Sequence, residues 1–225
     1  DAFHGRFNVS GNSSGLNTGS PFVAPGAQVP YYSTSYDGNI SGSMGRGRSF
    51  TFAAFRRNVN DSATINGFIL DPTSLAQVPF SAGIGNPQTR TNISPRADFQ
   101  ITRDNTLTAR YQYSRDVRSN VGPGGFSLIE TASNNLSTEQ SIQLSDTQIL
   151  GERAVNETRF RYERGPDSQT AQAANANPFS LRDTSTFPFS VRVTGAFNGG
   201  RSTRGSSTIT NGYELQNYTS FIAGP

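Results

Sequence analysis

The sequence predicts an all-β protein, an antiparallel up-and-down meander of about eight long strands. The first observation is strict alternation, which "NTLTARYQYSRD" at residues 105–116 shows best, with apolar and polar side chains on opposite parities. Because successive side chains of a strand point to opposite faces, this pattern indicates a strand with one apolar and one polar face. The second observation is that tight turns and long connections alternate along the chain. The third is that no apolar run approaches the length of a spanning helix.

Four alternating segments are predicted in the first half of the chain. They lie near residues 2–12, 32–44, 49–60 and 91–102. The first places Phe3 and Phe7 opposite His4 and Arg6. The second, "YSTSYDGNISGSM", is the weakest because glycine lowers strand propensity. The fourth is regular, with Ile93, Ala97, Phe99 and Ile101 on one parity.

The second half of the chain predicts four more strands, which complete the meander. They lie near residues 105–116, 137–149, 155–165 and 212–222. The seventh sets Phe160 and Tyr162 against Arg159 and Arg161. "DTQILGERAVNETRFRY" also allows a helical spacing, but the alternation from Glu157 onward favours a strand.

The connections between these strands alternate in length. "GRGR", "RDNT" and "GERA" are tight and carry the glycine, aspartate and asparagine that turns use. The others are long, at about 13–31, 61–90, 117–136 and 166–211. Short turns on one side and long loops on the other are typical of an outer-membrane barrel. We therefore expect Tyr111 to face lipid and Arg110 to face a watery lumen.

Composition excludes several classes of function. Only 33% of the residues are hydrophobic, yet 11% are aromatic, which is unlike a disordered chain. The chain has no cysteine, so it forms neither a disulfide framework nor a thiolate zinc site. All 19 basic residues are arginine, and they are interspersed with carboxylates rather than gathered in a phosphate-binding stripe. We therefore expect no nucleic-acid partner.

The alternative interpretation is a soluble or surface-exposed β-sheet protein, such as an adhesin or another binding module, with no transport role. β-Sandwiches and β-helices also alternate and turn. Three features favour the membrane barrel: strands of ten or more residues, arginine with carboxylate on the polar parity, and the repeated alternation of short and long connections.

Several blocks of the sequence closely resemble a known family. They are "DAFHGRFNVSGNSSGLN", "NGFILDPTSLAQVPF", "TRTNISPRADFQITRDNTLTARYQYSRD", "GGFSLIETASNNLSTEQSIQLSDTQIL", "VNETRFRYERG" and "YELQNYTSF". These blocks resemble the TonB-dependent outer-membrane transporters of the Oar-like group, which are common in acidobacteria. The resemblance covers most of the chain in the same order, and residues 166–211 carry it least.

The resemblance implies a barrel of about 22 strands whose lumen is blocked by an N-terminal plug domain. It also implies a TonB box, a short energy-coupling segment that precedes the plug. We therefore expect residues 1–225 to be a single partial segment of that barrel, without plug, TonB box or closing strand. The expected function is that of barrel wall and extracellular loops of an importer for a large or scarce solute. The expected partners are outer-membrane lipid, the rest of the barrel and its plug, and the TonB complex, in the bacterial outer membrane.

The candidate ligand-binding residues fall into two sets. Arg96, Arg110, Arg159 and Arg161 share the lumen parity of neighbouring strands. They form either a basic wall for an acidic solute or the plug, or lumen ion pairs with carboxylates such as Asp98 and Glu163. Phe179, Phe187, Phe189 and Phe197 lie in the longest loop. They either capture a sugar or peptide chain through flat rings or pack the loop against itself.

The sequence shows no catalytic constellation, and we expect neither an enzyme nor a cofactor or metal. His4 is the only histidine, and no cluster of metal ligands surrounds it in the sequence. "GPGG" at residues 122–125 lacks the lysine and helix start of a phosphate loop.

Overall fold

Eight strands form one antiparallel sheet, in a computed structural model that describes residues 2–16, 28–71, 73–171, 190–200 and 205–221. In chain order the strands are β1 (His4–Ser13), β2 (Tyr32–Ser43), β3 (Arg48–Leu70), β4 (Gln77–Thr102), β5 (Asn105–Val121), β6 (Ser133–Leu150), β7 (Ala154–Ala171), β8 (Ser190–Val193), β9 (Phe197–Gly200) and β10 (Ser206–Phe221). The sheet order is β1-β2-β3-β4-β5-β6-β7-β10, and β8 and β9 form a separate hairpin. The predicted all-β meander of about eight long strands is confirmed.

Helical structure is confined, in the described residues, to one 3₁₀ turn at Ile129–Thr131. No helix in the described part of the chain is long and apolar enough to cross a membrane.

The three tight turns lie together at one end of the sheet, because the strands that they join are antiparallel. In the β2–β3 turn, Gly45 and Gly47 have φ angles of 112° and 71°, which residues with a Cβ adopt only with strain. The Met44 amide donates to the Arg48 carbonyl at 2.9 Å and closes this turn. We call this end the short-turn end and the opposite one the long-loop end.

At the long-loop end the strands continue much further than the sequence predicts. β3 has 23 residues and β4 has 26, whereas about ten residues suffice to cross a bilayer. The connection predicted at 61–90 is therefore largely strand, since residues 61–70 pair with residues 77–86 and only six residues of the chain separate the two. The glycine, asparagine and proline of this segment predict a loop, but pairing in a hairpin overrides these weak propensities.

The other predicted long connections are also shorter in the structure. β5 reaches Val121 and β6 begins at Ser133, which shortens the connection predicted at 117–136. β7 and β10 extend into the connection predicted at 166–211, which also holds the unpredicted β8–β9 hairpin. Of the connection predicted at 13–31, residues 17–27 lie outside the described part.

A small apolar core lies at the long-loop end. Ile65 on β3, Phe80 on β4 and Leu128 ahead of the 3₁₀ turn are buried together, and Phe197 on β9 packs against them. We call these four residues the outer cluster. The Leu128 amide donates to the Asn198 carbonyl at 2.9 Å, which ties the loop 122–132 to the hairpin. Three segments distant in sequence are thereby joined beyond the membrane-length part of the sheet.

The β3–β4 turn depends on one carboxylate. Asp71 Oδ1 accepts hydrogen bonds from the Ser74 amide at 2.7 Å, the Ser74 hydroxyl at 3.0 Å and the Thr73 amide at 2.9 Å. These donors, the Ser74 amide first, lower the pKa of the Asp71 carboxyl below its ordinary value. Because the pKa is lower in the folded turn, the ionised form stabilises the turn above the ordinary pKa. That contribution disappears as the pH falls through the folded pKa.

We expect Asp71→Ala to loosen this turn without unfolding the sheet, because the amides of residues 73 and 74 lose their acceptor. Hydrogen–deuterium exchange of peptides covering 71–76 should become faster near neutral pH in the complete protein. Asp104→Ala, in a turn at the opposite end, is the matched control and should leave this peptide unchanged. Unchanged exchange in the Asp71 variant would show that the turn does not depend on the carboxylate.

Candidate functional site: the charged face of the sheet

One face of the sheet carries a continuous row of long polar side chains. Across the strands from β4 to β10 the paired residues are Arg96, Arg110, Gln143, Arg161 and Glu214. The adjacent row toward the short-turn end contains Asp98, Thr108, Ser145, Arg159 and Gln216. The structure therefore places the four predicted arginines on one face, which we call the charged face. His4 lies at the β1 end of the first row, and the described residues contain no metal-binding cluster.

Carboxylates two residues away on the same strand neutralise most of these arginines. Arg96 Nη2 donates to Asp98 Oδ1 at 2.8 Å, and Nε lies 3.0 Å from both carboxylate oxygens. Arg161 and Glu163 form an ion pair at 2.6 Å, as do Arg159 and Glu157. Side chains at i and i+2 project from the same face of a strand, so a carboxylate two residues from an arginine in the sequence is close enough to pair with it. The predicted lumen pairing with Asp98 and Glu163 is present in the structure.

Arg110 differs from the other three arginines. Among the described residues its guanidinium has no ion pair within 4.0 Å, although it interacts electrostatically with the Asp98 carboxylate. It lies directly opposite Arg96, and two like charges at paired positions repel each other. Asp98, bound by Arg96 and by the Thr108 hydroxyl at 2.7 Å, offsets this repulsion. Arg110 is thus the cation of the four that is best able to accept an added anionic partner.

A polar recess of about 530 Å³ lies on the charged face, nearer the long-loop end. Its charged residues are Arg90, Asp116, Arg118 and Asp167. The Arg118 guanidinium and the Gln88 amide both donate to Asp116 at 3.0–3.2 Å. Two cations and two anions make the recess nearly neutral, so it favours a polar solute over a strongly charged one. Most of these residues are missed by sequence analysis, because they lie where the sequence indicates loops. Their alternation continues that of the strands that carry Arg96 and Arg110, and this alternation could have placed them on the charged face.

The opposite face of the sheet is apolar over its membrane-length part. Its paired rows include Ile142 with Tyr162 and Leu144 with Phe160, and β10 continues them with Tyr213 and Leu215. The Tyr162 and Tyr213 rings lie 4.9 Å apart between centroids. Leu215 and Tyr213 remain 74% and 75% exposed. Nothing in the described chain covers this face, which is the arrangement of a wall between lipid and lumen.

Of the four predicted loop phenylalanines, only Phe197 belongs to the described residues. It is half-buried and packs against the other three residues of the outer cluster. Phe179, Phe187 and Phe189 lie outside the described part of the chain, so a role for them in solute capture stays a prediction.

The outer cluster lies above the charged face rather than above the apolar one. Ile65 and Phe80 have the parity of the charged face on β3 and β4, and they bring the loop 122–132 and the β8–β9 hairpin to that side. A buried carboxylate reinforces this packing: Glu130 is 4% exposed, and its Oε1 accepts from the Gly200 amide at 2.8 Å. The loops thus lean over the side on which a barrel has its lumen.

A sheet with one apolar face, one charged face and membrane-length strands defines the wall of a membrane β-barrel. Comparison with protein families supports this class: the model of the "Outer membrane beta barrel domain" family matches residues 65–225. The chain belongs to this family. Its location is therefore the bacterial outer membrane, and its apolar face meets lipid. Searches of curated proteins and of solved structures found no match.

Neighbouring residues on β5 provide a direct test of which face meets lipid. Tyr111 lies on the apolar face about six residues from the strand start, near mid-membrane, and Gln112 lies on the charged face. In the complete protein, Tyr111→Arg should lower the free energy of unfolding by about 2–4 kcal/mol. Gln112→Arg should change it little, because the lumen hydrates the charge.

The measurement is equilibrium unfolding in denaturant, with each variant refolded into the same lipid vesicles. Equal tolerance at the two positions would contradict the assignment of the faces.

Proposed function

We propose that this chain forms part of the barrel wall and outer loops of a TonB-dependent transporter that imports a large or scarce solute. The observation that carries the proposal is the position of the packed outer loops, which lean over the charged face and its polar recess. A solute that enters a lumen from outside meets these loops first and the recess next. The resemblance of six sequence blocks to the Oar-like transporters supports the energy-coupled type.

The edges of the sheet support a barrel larger than the described strands. β1 and β10 each pair with a single neighbour in the described residues. In hydrocarbon, unpaired backbone groups cost several kcal/mol each, so both edges need further strands. The proposed partners are therefore the remaining strands of the barrel, a plug inside it, and the TonB complex acting through that plug. No catalytic step forms part of the proposal.

A test that needs no knowledge of the solute uses the plug as the reporter. We expect a photo-cross-linking amino acid at position 110 of the complete protein to react with an N-terminal plug, because a side chain at this position projects from the charged face toward the lumen of the proposed barrel. The same amino acid at position 111 should react with lipid instead. Mass spectrometry of the cross-linked peptides distinguishes the two products.

One outcome would contradict the plugged transporter: position 111 cross-links to lipid, but position 110 does not cross-link to a plug. The chain would then still be a barrel wall. That outcome would favour the second candidate, a surface-exposed binding module, which the long β3–β4 hairpin beyond the membrane also suits.

The role of the longest loop is tested by deletion. Removing residues 175–205 from the complete protein should abolish uptake of its solute, measured as solute-limited growth, while the barrel stays folded by circular dichroism. Phe197→Ala is the variant to compare with the deletion, because it removes only the packing of Phe197 against the other residues of the outer cluster. If this single change abolishes uptake as fully as the deletion, loop packing explains the effect. Unchanged uptake in both variants would exclude the loop from solute capture.

A further inference from the structure

Away from the short-turn end, three arginines of the described strands project from the apolar face of the sheet. Arg48, the first residue of β3, has the same parity but lies at the short-turn end. Arg56 on β3, Arg115 on β5 and Arg164 on β7 have the parity of the lipid-facing residues, and all three are exposed. Arg56 and Arg115 belong to one cross-strand row, in which Thr91 of β4 lies between them. Arg164 lies in the adjacent row, which contains Tyr113.

Their position along the strands corresponds to the outer boundary of the membrane. Arg115 and Arg164 lie about ten residues from the short-turn ends of β5 and β7, and Arg56 lies about eight from that of β3. A tilted strand needs about 9–11 residues to cross the hydrocarbon. The three guanidinium groups therefore reach the level of the outer lipid headgroups, next to the tyrosines of the apolar face.

None of the three has a carboxylate partner among the described residues. Asp98, Asp116, Glu157 and Glu163, which neutralise arginines of the charged face, all lie on the other side of the sheet. The described strands carry one acidic residue on the apolar face, Asp146, and it lies near the short-turn end. The arginines at the outer boundary are thus an uncompensated positive charge that faces lipid headgroups.

Below Arg56 the apolar face contains two adjoining grooves. The first is about 410 Å³ in volume, is lined mainly by Phe7, Tyr36, Ile40, Phe52 and Ile93, and ends at Arg56. The second is about 760 Å³ and continues from Ile40 and Phe52 toward Met44. Ala54 is the small side chain on the floor of the first groove, and the Phe7 ring lies against Gly38, where a Cβ would come within 3.2 Å of the ring. A cationic end and an apolar length together match one molecule that has an anionic head and a hydrocarbon tail.

We propose that Arg56 and Arg115 bind the phosphate groups of an outer-leaflet lipid, whose acyl chain lies in the groove between Phe7 and Phe52. The two arginines are two strands apart, about 10 Å at their backbones, so they can serve two phosphates of one headgroup. Arginine binds phosphate through paired N–H donors, and a low-dielectric boundary strengthens these bonds. Arg164 adds a third positive charge on the same side. The site follows from the outer-membrane family and does not depend on the transport proposal.

The test uses the complete protein in neutral detergent and diphosphoryl lipid A as the probe, with binding measured by native mass spectrometry. Arg56→Gln and Arg115→Gln should each weaken binding roughly fivefold, as expected for one arginine at a lipid surface. Arg57→Gln is the matched control, because its side chain lies on the charged face next to Arg56, and it should leave binding unchanged. Ala54→Trp should weaken binding without any change of charge, because the indole fills the groove.

Three further measurements separate the possible sources of the signal. Inorganic phosphate should not displace the lipid, and dephosphorylated lipid A should bind at least tenfold more weakly. Circular dichroism should show that every variant is folded. Equal binding of the phosphorylated and dephosphorylated lipids would overturn the proposal in favour of a nonspecific lipid annulus. An equal loss in Arg57→Gln would overturn it in favour of general basicity, and unchanged binding in both Arg56→Gln and Arg115→Gln would overturn it outright.

Discussion

Backbone hydrogen bonding between neighbouring strands is the constraint on which this structure depends. In hydrocarbon no water replaces a missing backbone partner, so each strand that crosses the membrane must pair along its length. The sheet meets this demand by pairing each strand from β1 to β7 with the next in sequence, and β7 with β10. Because side chains alternate with a period of two, the register of this ladder also decides which residues meet lipid. A slip of one residue would move Arg96, Arg110 and Arg161 into hydrocarbon.

The two faces treat positive charge differently. On the charged face, arginine pairs with a carboxylate two residues along the same strand, as in Arg96–Asp98 and Arg161–Glu163. Such partly exposed pairs contribute about 0–1 kcal/mol each, so their main effect is to limit the net charge of the lumen. On the apolar face, Arg56 and Arg115 lie at the membrane boundary without such partners, which is tolerable only because lipid phosphate and water are near. The position of an arginine therefore depends on its depth in the membrane as well as on the face of the sheet from which it projects.

Beyond the membrane the chain buries apolar side chains away from water, as a soluble protein does. The outer cluster of Ile65, Phe80, Leu128 and Phe197 excludes water, and the Glu130–Gly200 hydrogen bond satisfies one oxygen of a buried carboxylate. This core orders loops that would otherwise cost conformational entropy on contact with a solute. Because this core lies above the charged face, the outer loops lie on the lumen side of the sheet rather than on the lipid side. A change that loosens this core would therefore also change how the outer loops cover the lumen.

The sequence by itself determined the existence of the eight strands of the main sheet, its two faces, and Asp98 and Glu163 as partners of the arginines. Alternation has a period of two, so Leu107, Tyr111 and Tyr113 were separable from Arg110 without coordinates, and Asp98 was visible beside Arg96. Tertiary structure alone decided how far the strands extend and what the outer residues contact. The segment 61–90 has the composition of a loop, and only its self-pairing makes it a hairpin. Likewise Leu128 and Phe197 are about 70 residues apart in sequence, and no local pattern encodes a contact between segments so distant.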